Sequence, residues 1–384
     1  MTVTAPQGFV AAGGHIGIKA SGADDLAIVA TDDGRPVTAA GVFTQNLACA
    51  GPVRVSKRHL ETTGGQASAV VLNSGNANCA TGTDVAVAEE MAALTATAVG
   101  APGAEHILVC STGLIGIPLD PAPLRSGIPA VAAALDGDGG DAAARAIMTT
   151  DTVPKTVTAE GTGWRIGGIA KGAAMLAPNM ATMLAVLTTD AAVDPEALHA
   201  DLTYAVGASF NRVVVDGCTS TNDSVLVLAN GRAGRPDPLQ FREALAVACL
   251  SLARQMAADA EGHTKLVTVE VAGAASDADA ERVARKLATS LLVKCSFYGN
   301  DPYWGRVLSD IGTAGVAVDT DAVTIAYDDV VVAKGLAPTG ADASTVVSAP
   351  AFTLRCDLGV GSGSWFVLTN DLSHAYIDEN MGTS

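Results

Sequence analysis

The chain has 384 residues, enough for two packed lobes with a core that could shelter an active site. Its 40 acidic and 23 basic residues give a formal net charge of −17, which disfavours proteins that bind nucleic acid or anionic lipid headgroups. Residues 1–14 lack a basic segment followed by an apolar run, and no stretch approaches about eighteen continuous apolar residues. We therefore expect a cytoplasmic protein that binds neither nucleic acid nor membranes.

Short apolar runs rich in β-branched residues predict strands. In chain order they are Ala69–Leu72, Ile107–Cys110, Met183–Leu187, Val213–Val215, Val225–Leu228, Val267–Val271, Val323–Ala326 and Phe352–Cys356. Helical patterns lie between them, over residues 84–99, 194–209, 237–260 and 277–287. Asp194 and Asp237 each precede a proline, which predicts a carboxylate N-cap with proline in the first turn. The alternation predicts an α/β fold of layered sheets and helices in two lobes, and it leaves the strand order open. Loops are predicted over residues 135–141 and 337–348, and neither resembles a long linker.

Several familiar kinds of functional site are disfavoured by the sequence. The seven scattered cysteines form no C-x-x-C pair, which disfavours a disulfide framework and a zinc site. The sequence also lacks H-E-x-x-H, G-x-x-x-x-G-K-[ST] and G-x-S-x-G. We expect no bound metal, no P-loop and no α/β-hydrolase site.

The segment from Lys171 to Leu184 carries the most unusual combination of residues. It joins a lysine, a bend with Gly and Pro, and a small-residue step into Thr182, which opens an apolar strand. A threonine hydroxyl is a weak nucleophile unless a base lies beside it, and an N-terminal threonine can use its own α-amine. That amine has a pKa of about 7.7 to 8, which suits a general base near neutral pH. From the pattern alone, Thr182 is either such a nucleophile or simply the first residue of a core strand.

Motifs along the whole chain resemble those of the ornithine acetyltransferase family, also called the glutamate N-acetyltransferase or arginine-biosynthesis bifunctional family. Residues 171–184 resemble its K-G-x-G-M-x-x-P-x-M-A-T-[ML]-L signature, with Ala174 where the family often has Gly. Further matching segments are residues 8–10, 73–82, 111–113, 148–152, 220–223, 259–262, 299–306 and 371–376.

The resemblance implies a fold and a processing event. The fold would be that of ornithine acetyltransferase, with the active site between the lobes. The chain would cut itself between Ala181 and Thr182, giving an alpha chain of residues 1–181 and a beta chain of residues 182–384 that starts at the nucleophile. The mature protein would be a heterotetramer of two alpha and two beta chains.

The resemblance also assigns roles to residues. Thr112 and Gly113 would form the oxyanion hole, which agrees with their place at the end of a predicted strand. A lysine can meet an α-carboxylate and a carboxylate can meet an ammonium group, as acetylated ornithine and glutamate require. The substrate contacts implied are Thr149, Lys171, Thr182, Glu261, Asn380 and, by its terminal position, Ser384.

The implied reaction moves acetyl from N2-acetyl-L-ornithine to L-glutamate through an acetyl-threonine intermediate. No cofactor is expected, and because some family members also accept acetyl-coenzyme A, that molecule is a candidate co-substrate. Two alternatives use the same residues differently. One is an amidohydrolase with an N-terminal nucleophile, in which water accepts the acyl group, and the other is a non-catalytic small-molecule-binding protein.

Overall fold

The structure is a computed structural model, and it describes residues 2–175 and 183–382. The chain forms two compact units, which confirms the two lobes expected from its length. The first, unit 1, contains Met1–Asn211 and Cys218–Met256, and the second, unit 2, contains Arg212–Gly217 and Ala257–Ser384.

Unit 1 is built from ten strands and six α-helices within the described residues. The strands are β1 (Phe9–Gly14), β2 (Leu26–Thr31), β3 (Val37–Phe43), β4 (Gln66–Ala67), β5 (Ala69–Asn76), β6 (Ile107–Leu114), β7 (Lys155–Glu160), β8 (Arg165–Lys171), β9 (Leu184–Ala191) and β10 (Ser224–Gly234). The helices are α1 (Gly51–Thr63), α2 (Asp84–Val99), α3 (Ala122–Ala132), α4 (Gly140–Ala146), α5 (Pro195–Gly207) and α6 (Pro238–Ala257), which ends at the unit boundary.

These strands form two sheets, ordered β1-β2-β5-β6 and β4-β3-β10-β9-β8-β7. The pairs β5–β6 and β9–β10 are parallel, and the other neighbours are antiparallel. Successive strand residues point to opposite faces, so one strand can serve two cores. In β5, Val70 and Leu72 pack with Ile169 and Val186 of the larger sheet. The two sheets therefore lie face to face.

The outer face of the smaller sheet is covered by helices. Val71 of β5 packs with Met91 of α2 and Leu124 of α3. The larger sheet contacts α5 and α6: Thr156 of β7 exchanges two hydrogen bonds with the Gln255 side chain of α6, at 3.0 and 3.1 Å. Unit 1 is thus a layered α/β structure, as predicted.

Unit 2 is built on one sheet, ordered β14-β13-β12-β15-β11-β16. Its strands are β11 (Leu266–Ala274), β12 (Thr324–Tyr327), β13 (Val330–Lys334), β14 (Ala337–Pro338), β15 (Ala351–Asp357) and β16 (Gly363–Asn370). Its helices are α7 (Asp277–Thr289), α8 (Leu291–Tyr298), α9 (Trp304–Gly312), α10 (Ser344–Val347) and α11 (His374–Asn380).

The core of unit 2 lies on one face of this sheet. Alternate β11 residues such as Val269 pack against Leu287 of α7, Phe297 of α8 and Ile311 of α9. Alternation in the strand thus sets which face is apolar.

Seven of the eight predicted strands are confirmed, with bounds shifted by a few residues. The prediction for Val213–Val215 is wrong: Val213 makes only an isolated bridge to Leu368. The predicted carboxylate cap at Asp194 is also wrong. Asp194 occupies the N-cap position of α5, but its carboxylate pairs with Arg235 at 3.0 Å and makes no capping hydrogen bond. Asp237 does accept the Gln240 amide hydrogen at 2.9 Å. The predicted loops contain the start of α4, β14 and α10.

Candidate active site

Six of the nine residues predicted for the site lie in the described parts of the chain. Thr112, Gly113, Thr149 and Lys171 belong to unit 1, whereas Glu261 and Asn380 belong to unit 2. The other three, Ala181, Thr182 and Ser384, lie outside the described residues, as does the predicted cleavage site between the first two.

The predicted oxyanion-hole residues lie at the end of β6. This strand pairs in parallel with β5, so that Thr112 lies opposite Ser74 and Gly113 opposite Gly75. Gly113 has φ +136°, and a Cβ atom there would lie 2.3 Å from the Gly75 carbonyl carbon. Only glycine fits this backbone. The strand pairing therefore requires Gly113 for steric reasons as well as any catalytic one.

Buried amide side chains form hydrogen bonds with Ser111 in the same part of β6. The Ser111 hydroxyl donates to Asn73 Oδ1 at 2.5 Å. Asn222 Nδ2 donates to the Ser111 carbonyl at 2.9 Å and to the Ala77 carbonyl at 2.6 Å. All three polar side chains are buried, at 5% exposure or less. Such satisfied buried networks fix one local geometry, here that of the residue preceding Thr112.

Lys171 connects β8 of the larger sheet to β6 of the smaller one. It is the last residue of β8, its exposed fraction is 2%, and its Nζ donates to Thr112 Oγ1 at 3.2 Å. A buried ammonium group is costly unless polar or charged partners surround it. The predicted substrate contact Lys171 and the predicted oxyanion-hole residue Thr112 are therefore brought into direct contact.

Asp151 is a buried carboxylate close to Lys171. It accepts hydrogen bonds from Lys155 Nζ at 2.5 Å, the Gly172 amide at 2.7 Å and the Thr149 amide at 2.9 Å. Burial alone would raise the pKa of Asp151, but the ammonium groups of Lys171 and Lys155 and these hydrogen bonds lower it to about 2. Asp151 is thus an anion at neutral pH, and it holds the predicted substrate contact Thr149 beside Gly172.

A second buried carboxyl group behaves in the opposite way. Asp223 has no exposed surface, and its Oδ1 accepts the Met183 amide hydrogen at 2.9 Å. Burial raises the pKa of Asp223 well above its ordinary value, although the Met183 amide and Lys171 act against this rise. Met183 directly follows Thr182 in the chain. Asp223 therefore holds the residue next to the predicted nucleophile.

In unit 2 the two predicted substrate contacts also meet. Asn380 Nδ2 donates to Glu261 Oε2 at 2.8 Å. Glu261 lines a cavity of about 90 Å³ together with Lys294, Asp371 and Tyr376. Burial lowers the pKa of Lys294 to about 8, although Asp371 and Asp216 favour its charged form. Charged side chains therefore line this small cavity together with the apolar residues Val215, Leu291 and Leu372.

Four polar residues that were not predicted for the site also contribute to its geometry. Asp151, Asn73, Asn222 and Asp223 all lie in the family-like segments 148–152, 73–82 and 220–223, and that was the only available signal. Their functions depend on contacts with residues distant in the chain. Together, the Thr112 hydroxyl and the buried Lys171 ammonium group beside it are hydrogen-bond donors of the kind that stabilises a developing oxyanion.

Within residues 2–175 and 183–382, the His, Cys, Asp and Glu side chains form no group placed to hold a metal ion. Within the same ranges, every helix is too short or too polar to cross a bilayer.

Comparison with known proteins gave matches over the full length. Residues 10–382 match the ArgJ family. The protein named "Arginine biosynthesis bifunctional protein ArgJ" from Mycolicibacterium paratuberculosis is 47% identical over 392 aligned residues, covering 100% of this chain and 96% of its own length. A protein of the same name from Thermobifida fusca is 46% identical, with 100% of both chains covered. A crystal structure of ornithine acetyltransferase complexed with ornithine, from Mycobacterium tuberculosis, is 45% identical; the match covers 46% of this chain and 94% of that one, with a TM-score of 0.44.

Proposed function

The chain belongs to the ArgJ family, and we propose that it transfers an acetyl group from N2-acetyl-L-ornithine to L-glutamate in arginine biosynthesis. One observation carries this proposal: relatives named as arginine biosynthesis proteins match the chain from end to end at 46 to 47% identity. The cluster of Thr112, Gly113 and Lys171 supports it, because acyl transfer needs donors for an oxyanion.

We propose Thr182 as the nucleophile, released by self-cleavage of the Ala181–Thr182 bond. In the first half-reaction its hydroxyl oxygen attacks the acetyl carbonyl carbon while the α-amine of Thr182 takes the hydroxyl proton. The bond from carbon to the ornithine nitrogen breaks, and that nitrogen receives the proton. The products are ornithine and an acetyl ester on Thr182.

The second half-reaction reverses these steps with a different amine. The amino group of glutamate attacks the ester carbonyl, its proton passes through the Thr182 amine to the departing hydroxyl, and N-acetylglutamate leaves. In both halves a tetrahedral oxyanion forms, and the Thr112 hydroxyl and the Gly113 amide are proposed to hold it.

The proposed substrate contacts complete this mechanism. Thr149 and Lys171 would serve in unit 1, and Glu261 and Asn380, which share a hydrogen bond of 2.8 Å, in unit 2. Ser384 and Thr182 complete the set. The relatives are named bifunctional, and we propose acetyl-coenzyme A as a second acetyl donor to glutamate. No resident cofactor is required by these steps. We further propose that the enzyme works in the cytoplasm as two alpha and two beta chains.

Product analysis tests the proposal against hydrolysis. The purified protein is incubated with N2-acetyl-L-ornithine, labelled in its acetyl group, with and without L-glutamate. We expect label in N-acetylglutamate when glutamate is present and almost no free acetate without it. An amidohydrolase would release labelled acetate in both reactions, and a binding protein would release none.

Initial rates give a second criterion. A covalent acetyl intermediate requires ping-pong kinetics, so double-reciprocal lines at several glutamate concentrations should run parallel. Intersecting lines would show that both substrates must be bound together, which contradicts the acetyl-threonine intermediate.

A further inference from the structure

The contact between Lys171 and Thr112 restricts what the Thr112 hydroxyl can do. A hydroxyl group has one hydrogen to donate and two acceptor positions, whereas an ammonium group only donates. Because Lys171 Nζ lies 3.2 Å from Thr112 Oγ1, the hydroxyl accepts in this pair. Its own hydrogen is thereby turned away from Lys171 and toward a different acceptor.

The same contact makes the hydroxyl a better donor. A hydroxyl that accepts from a cation is polarised and donates more strongly, and this effect is larger in a buried site. Thr112 and Lys171 are each 2% exposed, so bulk water screens the interaction little. These are the properties required of an oxyanion-hole donor.

Asp151 fixes the lysine side of this pair. It accepts the amide hydrogen of Gly172, the residue that follows Lys171, at 2.7 Å, and its carboxylate attracts the Lys171 ammonium group. Lys155 and Thr149 hold Asp151 from other directions, at 2.5 and 2.9 Å. The backbone and the charge at Lys171 are therefore anchored on the same carboxylate.

We propose that Lys171 is a positioning residue of the oxyanion hole: it orients and polarises the Thr112 hydroxyl toward the reacting oxygen, with Asp151 as its anchor. This inference rests on the acetyl-transfer function proposed above. It differs from a simple substrate contact for Lys171, because a carboxylate contact acts on substrate binding, whereas a group acting through Thr112 acts on the transition state.

A double-mutant cycle separates these roles. kcat and KM for N2-acetyl-L-ornithine are measured at saturating glutamate for wild type, Lys171→Met, Thr112→Val and the double variant. Intact-mass measurement gives the cleaved fraction of each preparation, to which kcat is normalised. Loss of an oxyanion-hole donor typically costs about 100-fold in kcat. We expect a loss of that order in each single variant, with KM changed less than about three-fold.

The double variant decides the inference. If Lys171 acts through Thr112, adding Lys171→Met to Thr112→Val should lower kcat less than about three-fold further. The proposal would be overturned if the losses in kcat of the two single variants multiply in the double variant. It would also be overturned if Lys171→Met raises KM and leaves kcat normal. Inactive wild-type protein would instead refute the acetyl-transfer function itself.

Asp151→Asn is the second variant, because an amide keeps the shape of the carboxylate and can still accept the Gly172 amide hydrogen. Its kcat should fall without a matching change in KM, and the loss should largely vanish in the Thr112→Val background. A loss of equal size in both backgrounds would show that Asp151 acts independently of Thr112 and would remove it as the anchor.

Discussion

At the scale of single residues, two buried aspartates next to the same lysine have opposite acid–base behaviour. Asp151 collects two ammonium groups and two backbone amides, and its pKa is lowered to about 2. Asp223 has no exposed surface and only one ammonium group, that of Lys171, among the partners that lower its pKa, so burial raises its pKa well above its ordinary value. Charged and hydrogen-bonding partners decide the direction of a pKa shift as much as the degree of burial does.

The raised pKa of Asp223 predicts a pH dependence of stability. Between the ordinary value of 3.8 and the raised one, the folded chain holds a proton on Asp223 that the unfolded chain has lost. The free energy of unfolding should therefore fall as pH rises through this window, by up to about 1.4 kcal/mol per pH unit. Asp223→Asn keeps an acceptor for the Met183 amide and removes the titration, so its unfolding free energy should fall less.

Urea unfolding from pH 4 to pH 8 measures this difference. The Thr182→Ala background is used for both proteins so that each is studied as one uncut chain. Asp141→Asn, at an exposed position of α4, is the matched control and should follow the parent. Parallel pH profiles for the parent and Asp223→Asn would contradict the assigned titration.

The residues of the candidate site were predicted only in part. Thr112, Gly113 and Lys171 came from the family resemblance, and their mutual contact was not predicted. Asn222 reaches the carbonyl of Ser111, 111 residues earlier in the chain. No periodicity or local motif encodes such a contact, because it depends on how two sheets are stacked.

At the scale of elements, side-chain composition decided what could be predicted. Runs of Val, Ile and Leu such as those of β5, β10 and β11 were recognised. β1 (FVAAGG) and β8 (RIGGIAK) were missed, since Ala and Gly give little strand signal. Their place is fixed by pairing: β1 pairs with β2, and β8 lies between β7 and β9.

The order of the larger sheet predicts that the two fragments stay together after cleavage. β9 and β10, which follow the proposed cut, lie side by side in the middle of this sheet, with β8 on one side and β3 on the other. Both neighbours precede the cut. Separating the fragments would break two complete strand pairings and expose a buried core, at a cost comparable to unfolding unit 1.

A tag at the carboxyl end tests this directly. Capture of residues 182–384 from native buffer should bring down residues 1–181 in equal amount, even after a wash at high salt, and a denaturant should be needed to release them. Thr182→Ala, captured as one chain, provides the control. Release of residues 1–181 in native buffer would contradict the role assigned to β9 and β10.

At the scale of the whole molecule, length and alternating elements predicted an α/β chain in two lobes, and both are confirmed. The boundaries could not be predicted from composition. Unit 1 takes strands from both sides of residue 182 and excludes residues 212–217, so folding and the proposed cleavage divide the chain at different places. A cut inside one compact unit creates a new amine without separating two domains.

Intact-mass analysis in denaturant, before and after addition of N2-acetyl-L-ornithine, shows whether the chain is cut before Thr182 and whether Thr182 then carries the acetyl group. We predict two masses, for residues 1–181 and 182–384, whose sum exceeds that of the chain by one water. After the substrate is added without glutamate, only the second fragment should gain one acetyl group, and glutamate should remove it. Thr182→Ala should give one uncut mass that gains nothing. An uncut wild-type chain would refute self-cleavage, and an acetyl group on residues 1–181 would show that Thr182 is not the nucleophile.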